Sequence, residues 1–309
     1  MSYLLTGPLV RATSASSGLI WGELSHPATI TLQAIPTNNS HPSRTIQVQT
    51  VNVGNHHYFL VCLNRLQPAT WYNYHILHTD NQQENDLPHH CFRTLDVPES
   101  GLGWKLAYGS CRKPTGLKDD ALGALGEWLI QHFEDRESSW PRLLLLIGDQ
   151  VYADQPVADF LKTRMDLPQG ARTFSEFTAI YNYAWTNDPR VRQVLATLPS
   201  YMIFDDHEII NSWNIAPWWR IKALAQGLGD TIIDGLIAYW VYQGWGNLDP
   251  QMSQNHPFIQ IMQHACKTGE DAYDALKEAM TLDLHNAVPH QWHYQIPTSP
   301  PIFVSDMRA

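Results

Sequence analysis

Three apolar segments after residue 104 are each followed at once by polar side chains that a plain protein core would not need. The segments run into GSCRK at residues 109–113, GDQVYAD at 148–154 and DDHE at 205–208. The first places a thiol, Cys111, beside two cations, which favour the thiolate form. The second presents a carboxylate and then a phenol, and the third presents three carboxylates and an imidazole. The sequence therefore predicts reactive groups where three strands end.

Neighbouring carboxylates repel each other unless a positive charge lies between them, and a bound cation is the usual remedy. A thiolate, a phenolate and a carboxylate around one ion stabilise a high positive charge, which points to ferric iron. A second environment made only of oxygen atoms suits a harder divalent ion such as calcium or manganese. We therefore expect a metal centre at these strand ends.

From Trp104 onward, strand-like runs alternate with helical stretches, which is typical of an α/β or layered α+β core. The predicted strands are Lys105–Gly109, Arg142–Ile147, Tyr201–Phe204, Trp292–Ile296 and Ile302–Ser305. The predicted helical regions are Asp120–Glu134, Trp213–Gly246 and Phe258–Met280, the first with leucines recurring along one stripe.

The first 98 residues read differently, because short runs alternate apolar and polar residues between turn-rich pieces. The predicted strands are Leu19–Trp21, Thr29–Ala34, Thr45–Val51, His57–Leu63, Trp71–Leu77 and Cys91–Leu95. The stretch LQPATWYNY at 66–74 resembles the tyrosine corner of fibronectin type III domains, in which Tyr72 would turn its hydroxyl back to the backbone. We expect an all-β, fibronectin type III-like or immunoglobulin-like sandwich here.

A length of 309 residues favours two domains. Proline and glycine cluster in Asp96–Gly103, so we predict one domain over residues 1–98 and a second over 99–309. The sequence is 44% hydrophobic and 16% charged, which excludes a disordered chain.

Thirty acidic against twenty basic residues give a net charge of -10, which disfavours a nucleic-acid backbone as partner. The apolar run Leu143–Ile147 is too short to cross a bilayer, and the N-terminus lacks the features of a signal peptide. These features predict a cytoplasmic protein.

The three motifs, in this order and at these separations, resemble the PhoD-like alkaline phosphatases of the calcineurin-like metallophosphoesterase superfamily. That family also carries a fibronectin-like domain ahead of its catalytic domain. The resemblance spans nearly the whole chain. It implies an α/β/β/α four-layer core for residues 99–309.

The resemblance also implies roles for single residues. Cys111 matches an iron-binding cysteine, Asp149 a metal-bridging aspartate, and Tyr152 a tyrosine whose phenolate binds iron. Asp206 matches a ligand of the second metal, and His207 an imidazole that steadies the phosphoryl group or protonates the leaving oxygen.

The remaining polar residues of the motifs receive supporting roles. Asp205 and Glu208 are expected to orient their neighbours, and Arg112 is a candidate phosphate contact and catalytic residue. A structural alternative has His207 held in place by Asp205.

The implied reaction is metal-dependent hydrolysis of phosphate monoesters or diesters, in which a hydroxide bridging two ions attacks phosphorus in line. The implied ions are Fe³⁺ and at least one divalent ion, foremost Ca²⁺, with Mn²⁺ or Zn²⁺ as alternatives. The substrate is a small-molecule, lipid or nucleotide phosphate ester.

One departure from the family pattern leaves an alternative open. Family members continue past the strand represented by Ile302–Ser305 to a glycine-aspartate-histidine element that adds ligands, whereas this sequence stops at Ala309. The expectation is either a fragment or a truncated relative with an incomplete centre. In the second case the chain would be a non-catalytic two-domain binding protein that retains a structural metal.

Overall fold

The computed structural model describes residues 2–38, 41–77, 87–97, 103–113, 120–155, 170–248, 255–286 and 290–308. In the N-terminal region, the regular elements among the described residues are all strands. Its strands are β1 (Leu4–Thr13), β2 (Ser17–Leu24), β3 (Thr29–Pro36), β4 (Arg44–Gln49), β5 (Val51–Val53), β6 (His56–Asn64), β7 (Trp71–Ile76) and β8 (Cys91–Arg93). They form two four-stranded antiparallel sheets, in the orders β1-β2-β6-β5 and β4-β3-β7-β8.

The two sheets enclose an apolar core of their own, to which every second residue of β3 and β7 contributes. Tyr72 lies in this core and stacks on Phe92, with ring centroids 5.7 Å apart. Its hydroxyl accepts a hydrogen bond from the backbone N–H of Gln67 at 2.8 Å. The phenol therefore turns back to the chain in the manner that the sequence of the corner predicts.

The remaining elements alternate helix and strand, which confirms the mixed α/β class. They are β9 (Leu106–Gly109), α1 (Ala121–Gln131), α2 (Arg136–Ser139), β10 (Leu143–Ile147), α3 (Phe174–Thr186), α4 (Pro189–Leu195), β11 (Ser200–Ile203), α5 (Pro217–Ala225), α6 (Gly229–Tyr239), α7 (Pro257–Thr268), α8 (Tyr273–His285), β12 (Tyr294–Ile296) and β13 (Ile302–Val304). A π-helical turn at Trp240–Gly244 and a 3₁₀ turn at Trp245–Asn247 follow α6. Within the described residues, no helix is both long and apolar enough to span a membrane.

Strands β9, β10 and β11 form a parallel sheet in the order β11-β10-β9, while β12 and β13 pair separately as an antiparallel hairpin. Helix α1 begins after Asp120, whose carboxylate accepts from the N–H of Leu122 at 2.9 Å. Gly126 on α1 allows α4 to approach closely, because a Cβ atom there would lie 2.0 Å from the carbonyl oxygen of Arg190. Helices α1 and α4 thus pack together beside the parallel sheet.

Strand β1 connects the two regions, and the sequence analysis does not predict it. Nearly all of its residues are buried, because one face packs in the sandwich core and the other against the α/β region. Arg11 is fully buried and donates to the Asn247 side chain at 3.0 Å and to the carbonyl of Gln243. The hydroxyl of Tyr201 donates to the carbonyl of Thr13 at 2.9 Å. The two regions therefore share extensive buried contacts.

The division of the chain at residue 98 stays a prediction, since residues 98–102 lie outside the described part.

A partly buried histidine beside β8 makes stability depend on pH. Burial lowers the pKa of His90 to about 4, and its ring lies 5.5 Å from that of Tyr74. An unfolded chain binds a proton at this histidine below about pH 6.5, whereas the folded chain binds it only near pH 4. The contribution of His90 to stability is therefore complete above pH 6.5 and lost as the pH falls towards 4.

Between pH 7 and pH 4.5, the free energy of unfolding of the wild type should fall by about 2 kcal/mol more than that of His90→Gln. Urea unfolding at the two pH values measures this difference. The exposed residue His41 provides the matched control, His41→Gln, which should follow the wild type. Identical pH dependence in His90→Gln and the wild type would contradict the assignment.

Candidate metal centre

The three predicted motifs meet at one edge of the parallel sheet. Parallel strands direct their carboxyl ends to the same edge, which is where α/β proteins bind ligands. In register, Gly109 lies beside Leu146 in β10, and Ile147 lies beside Ile203 in β11. The residues that follow these strands, from Cys111, Asp149 and Asp206 onward, therefore emerge side by side.

Two hydrogen bonds join the first turn to the second. The N–H of Cys111 donates to the carbonyl of Gly148 at 3.0 Å, and the N–H of Arg112 donates to the carbonyl of Asp149 at 2.8 Å. Cys111 and Asp149 have φ angles of 55° and 54°, which non-glycine residues seldom adopt. Such backbone persists only where surrounding bonds hold it, and it is concentrated at functional sites.

Gly148 is required for the approach of the third turn. Its φ angle is 98°, and a Cβ atom at this position would lie 2.6 Å from the Cβ atom of Asp205. The glycine that ends the second apolar run is therefore the residue that lets the turns after β10 and β11 touch.

Potential metal ligands from all three turns converge. Asp149, Asp206 and His207 each offer one ligand atom, and these atoms lie within 4.8 Å of one another. The Cys111 sulfur donates to Oδ2 of Asp149 at 3.5 Å. The ring of Tyr152 stacks on His207 with centroids 4.3 Å apart. All five residues predicted as metal ligands or as the catalytic imidazole thus lie in one cluster, which we call the strand-end cluster.

Electrostatics at the strand-end cluster fit a cation. Burial raises the pKa of Asp149, and the negative charge of Asp205 raises it further. Burial also raises the pKa of Tyr152 to about 12, with the nearby Asp149 and Cys111 contributing. Both shifts arise first from burial, and neighbouring negative charges add to them. A metal ion bound here would neutralise these negative charges and displace the protons.

Glu208 holds the second and third turns together. Its carboxylate is fully buried and accepts from the backbone N–H groups of Asp149 and Asp205, both at 2.9 Å, and of Gln150 at 2.7 Å. The side chain of Gln243 donates a fourth hydrogen bond at 3.1 Å. Burial raises the pKa of Glu208 to about 7, although these bonds oppose the shift. This residue orients its neighbours, as predicted.

The partner of His207 is Asp154, a residue for which the sequence alone predicts no role. Nδ1 of His207 lies 2.9 Å and 3.0 Å from the two carboxylate oxygens of Asp154, which also accepts from the N–H of Asn211. The alternative in which Asp205 holds His207 is wrong, because Asp205 pairs with Arg308 instead. The sequence feature that points to Asp154 is its position within GDQVYAD, on the turn that carries Asp149.

Arg308 is a second contributor that the sequence analysis missed. Its guanidinium pairs with Asp205 and lies 3.5 Å from a carboxylate oxygen of Asp206. Its carbonyl accepts from the N–H of Ile215 at 3.0 Å, which fixes the segment after β13 beside the third turn. Arg308 therefore supplies positive charge at the acidic side of the strand-end cluster.

Arg112 makes its contacts away from the carboxylates of the strand-end cluster. Its Nε and Nη2 atoms donate to the Asp120 carboxylate at 2.9 Å and 2.7 Å, and Nη1 donates to the carbonyl of Ala184 at 2.8 Å. These bonds fix the guanidinium between the first turn and helices α1 and α3. A contact with phosphate stays a prediction for this residue.

Among the described residues, Asp149, Asp206 and His207 are the group of three or more histidine, cysteine and acidic residues able to share an ion. No such group that includes His285, His290 or His293 is found among the described residues.

Comparison with protein families supports the identity of these motifs. Residues 128–217 match the model of the PhoD-like phosphatases, a range that contains Asp149, Tyr152, Asp206 and His207 but begins after Cys111. Residues 1–94 match a domain of unknown function, DUF7800. The resemblance to the PhoD-like phosphatases that the sequence predicts is thereby confirmed.

A solved structure described as "Structure of PhoD" has the same fold over 97% of this chain, with a TM-score of 0.62 and 14% sequence identity. The match covers 51% of that solved chain, so the present chain spans about half of its length. No curated protein gives a significant match to the sequence.

Proposed function

We propose that this chain hydrolyses phosphate esters, monoesters or diesters, at the strand-end cluster. The observation that carries the proposal is the meeting of Cys111, Asp149, Tyr152, Asp206 and His207 where three parallel strands end. The match of residues 128–217 to PhoD-like phosphatases supports phosphate esters as the substrate class. Small-molecule, lipid and nucleotide esters remain within that class.

We propose Cys111, Asp149 and Tyr152 as ligands of Fe³⁺, because sulfur and phenol oxygen donors together favour a highly charged ion. Asp206 and Asp149 would then hold a divalent ion, for which we propose Ca²⁺ foremost, with Mn²⁺ or Zn²⁺ as alternatives, because oxygen ligands suit Ca²⁺ and Mn²⁺. When bound, such ions neutralise phosphate oxygens and acidify water near neutral pH.

His207 is proposed to protonate the leaving oxygen. Nδ1 bonded to the Asp154 carboxylate carries the proton of the neutral ring, so Nε2 is the nitrogen that faces a substrate. The carboxylate fixes the ring, which also stacks on Tyr152. Arg112 is proposed to contact the phosphate, with its guanidinium held by the Asp120 carboxylate.

The proposal is tested by purifying the chain, measuring its metal content and following phosphate release from one monoester and one diester. We expect bound iron and release that a chelator abolishes. Metal binding without release from either ester would favour the alternative of a non-catalytic protein with a structural metal. Release that persists after complete removal of metal would contradict the proposed centre.

We expect Asp154→Asn to lower kcat about 10- to 100-fold while metal content and KM stay close to wild type. The amide no longer accepts from Nδ1 on two oxygens, so the ring loses the tautomer and orientation that present Nε2 to the substrate. Asp271→Asn, which changes a carboxylate bonded to the loop after β5, is the matched control. An unchanged kcat in Asp154→Asn would contradict this role of Asp154.

We further propose that residues 1–98 form a fibronectin type III-like unit and that the α/β region follows a four-layer plan. The tyrosine corner at Tyr72 and the two antiparallel sheets support the first part. Superposition on fibronectin type III domains tests it, and a strand connectivity that cannot be aligned would contradict it.

A further inference from the structure

A cavity of about 670 Å³ lies between the parallel sheet and helices α1, α3 and α4. Cavities of this size are typical of small-molecule sites. It begins at the first turn of the strand-end cluster, since Cys111 and Arg112 both line it. Exposed residues Lys113 and Ala121 also line it, so the cavity reaches the protein surface.

The cavity exists because small residues occupy the inner face of β9. Ala107 and Gly109 alternate along that face, beside Leu144 and Leu146 of β10. A Cβ atom built on Gly109 would meet no atom within 4 Å. Larger side chains at these two positions would fill the space as they do in an ordinary sheet-helix core, where voids are few.

The two ends of the cavity differ in chemistry. The wall formed by α1 and β10 is apolar, with buried Leu122, Leu144 and Leu146 and partly buried Leu125. Near the start of α4, Asp188 and Arg190 also line the cavity and pair with each other at 2.7 Å. Its end at the strand-end cluster carries the thiol of Cys111 and two cationic side chains, those of Arg112 and Lys113. A ligand that fits this gradient has an anionic group at one end and an apolar group at the other.

We infer that the cavity binds the apolar alcohol portion of a phosphate ester whose phosphate lies at the strand-end cluster. The enzyme would then discriminate in favour of esters of aromatic or long-chain alcohols over esters of short alcohols. The location of the phosphate rests on the proposed function, whereas binding of the apolar group to the cavity does not.

The test fills the cavity from β9 with Ala107→Leu. Two measurements are compared with the wild type: KM for 2-naphthyl phosphate against ethyl phosphate, and binding of 2-naphthol by calorimetry. We expect KM for the naphthyl ester to rise at least about tenfold, KM for the ethyl ester to change less than twofold, and naphthol binding to be lost. Leu106→Phe adds bulk to the same strand outside the cavity and is the matched control.

Gly109→Val repeats the test if Ala107→Leu fails to fold, because the added side chain has open space. Naphthol binding that Ala107→Leu or Gly109→Val abolishes, without phosphate release from any ester, would support the cavity and contradict the proposed function. Equal naphthol binding and an equal ratio of the two KM values in the wild type and the filled variants would overturn the inference.

Discussion

Asp149→Asn should remove bound metal and lower phosphate release more than about a hundredfold, since loss of even an outer partner of a metal ligand costs 10- to 100-fold. Substitution of Asp149 is expected to have the largest effect because this residue contacts all three turns. Its side chain accepts from the Cys111 thiol and from the N–H of His207, and its own N–H donates to Glu208. Metal analysis and phosphate release measure the effect.

Asparagine is the right replacement at this position for two reasons. The φ angle of 54° is one that asparagine tolerates better than most residues, so the turn should survive. The remaining carbonyl oxygen can still accept from the N–H of His207. The control Asp271→Asn should retain both metal and activity. Full metal content in Asp149→Asn would contradict the assignment of this residue as a ligand.

Glu208→Ala should destabilise the chain by at least about 3 kcal/mol, because it leaves three backbone N–H groups, two of them buried, and one buried side-chain amide without an acceptor. The second and third turns would lose the group that joins them, so metal binding should weaken together with stability. Denaturant unfolding and metal titration measure the two effects.

The milder variant Glu208→Gln separates the two consequences. Its carbonyl oxygen retains two of the hydrogen bonds, while its amide group faces donors, so we expect an intermediate loss of stability. Glu278→Ala, an exposed change on α8, controls for loss of a negative charge and should match the wild type. A Glu208→Ala protein within 1 kcal/mol of wild type would show that the turns are held by other contacts.

Strand positions were predictable where one face of a strand is buried and the other is not. Strand β7 reads as a strand because its residues alternate in burial from Trp71 to Ile76. Strand β1 lacks that signal because both of its faces are covered, one by the sandwich and one by the α/β region. Its burial depends on contacts such as Arg11 with Asn247, which lie far apart in sequence.

The candidate ligands of the strand-end cluster were predictable from the sequence, whereas the residues that hold those ligands in place were not. Glycine followed by a carboxylate after a buried strand identified Asp149 without any structure, and the parallel sheet explains why three such turns meet. The roles of Asp154 and Arg308 depend on which turns face each other across the sheet edge. Likewise, the positive φ angle at Cys111 is held by hydrogen bonds to the neighbouring turn, so the residue type alone does not predict it.

The most direct measurement is a crystal structure of the iron-loaded chain with anomalous data collected at the iron absorption edge. We predict a strong anomalous peak within bonding distance of the Cys111 sulfur, the Tyr152 hydroxyl and a carboxylate oxygen of Asp149. No peak at that position, or an ion bound only by other residues, would contradict the claim that the three strand ends share a metal.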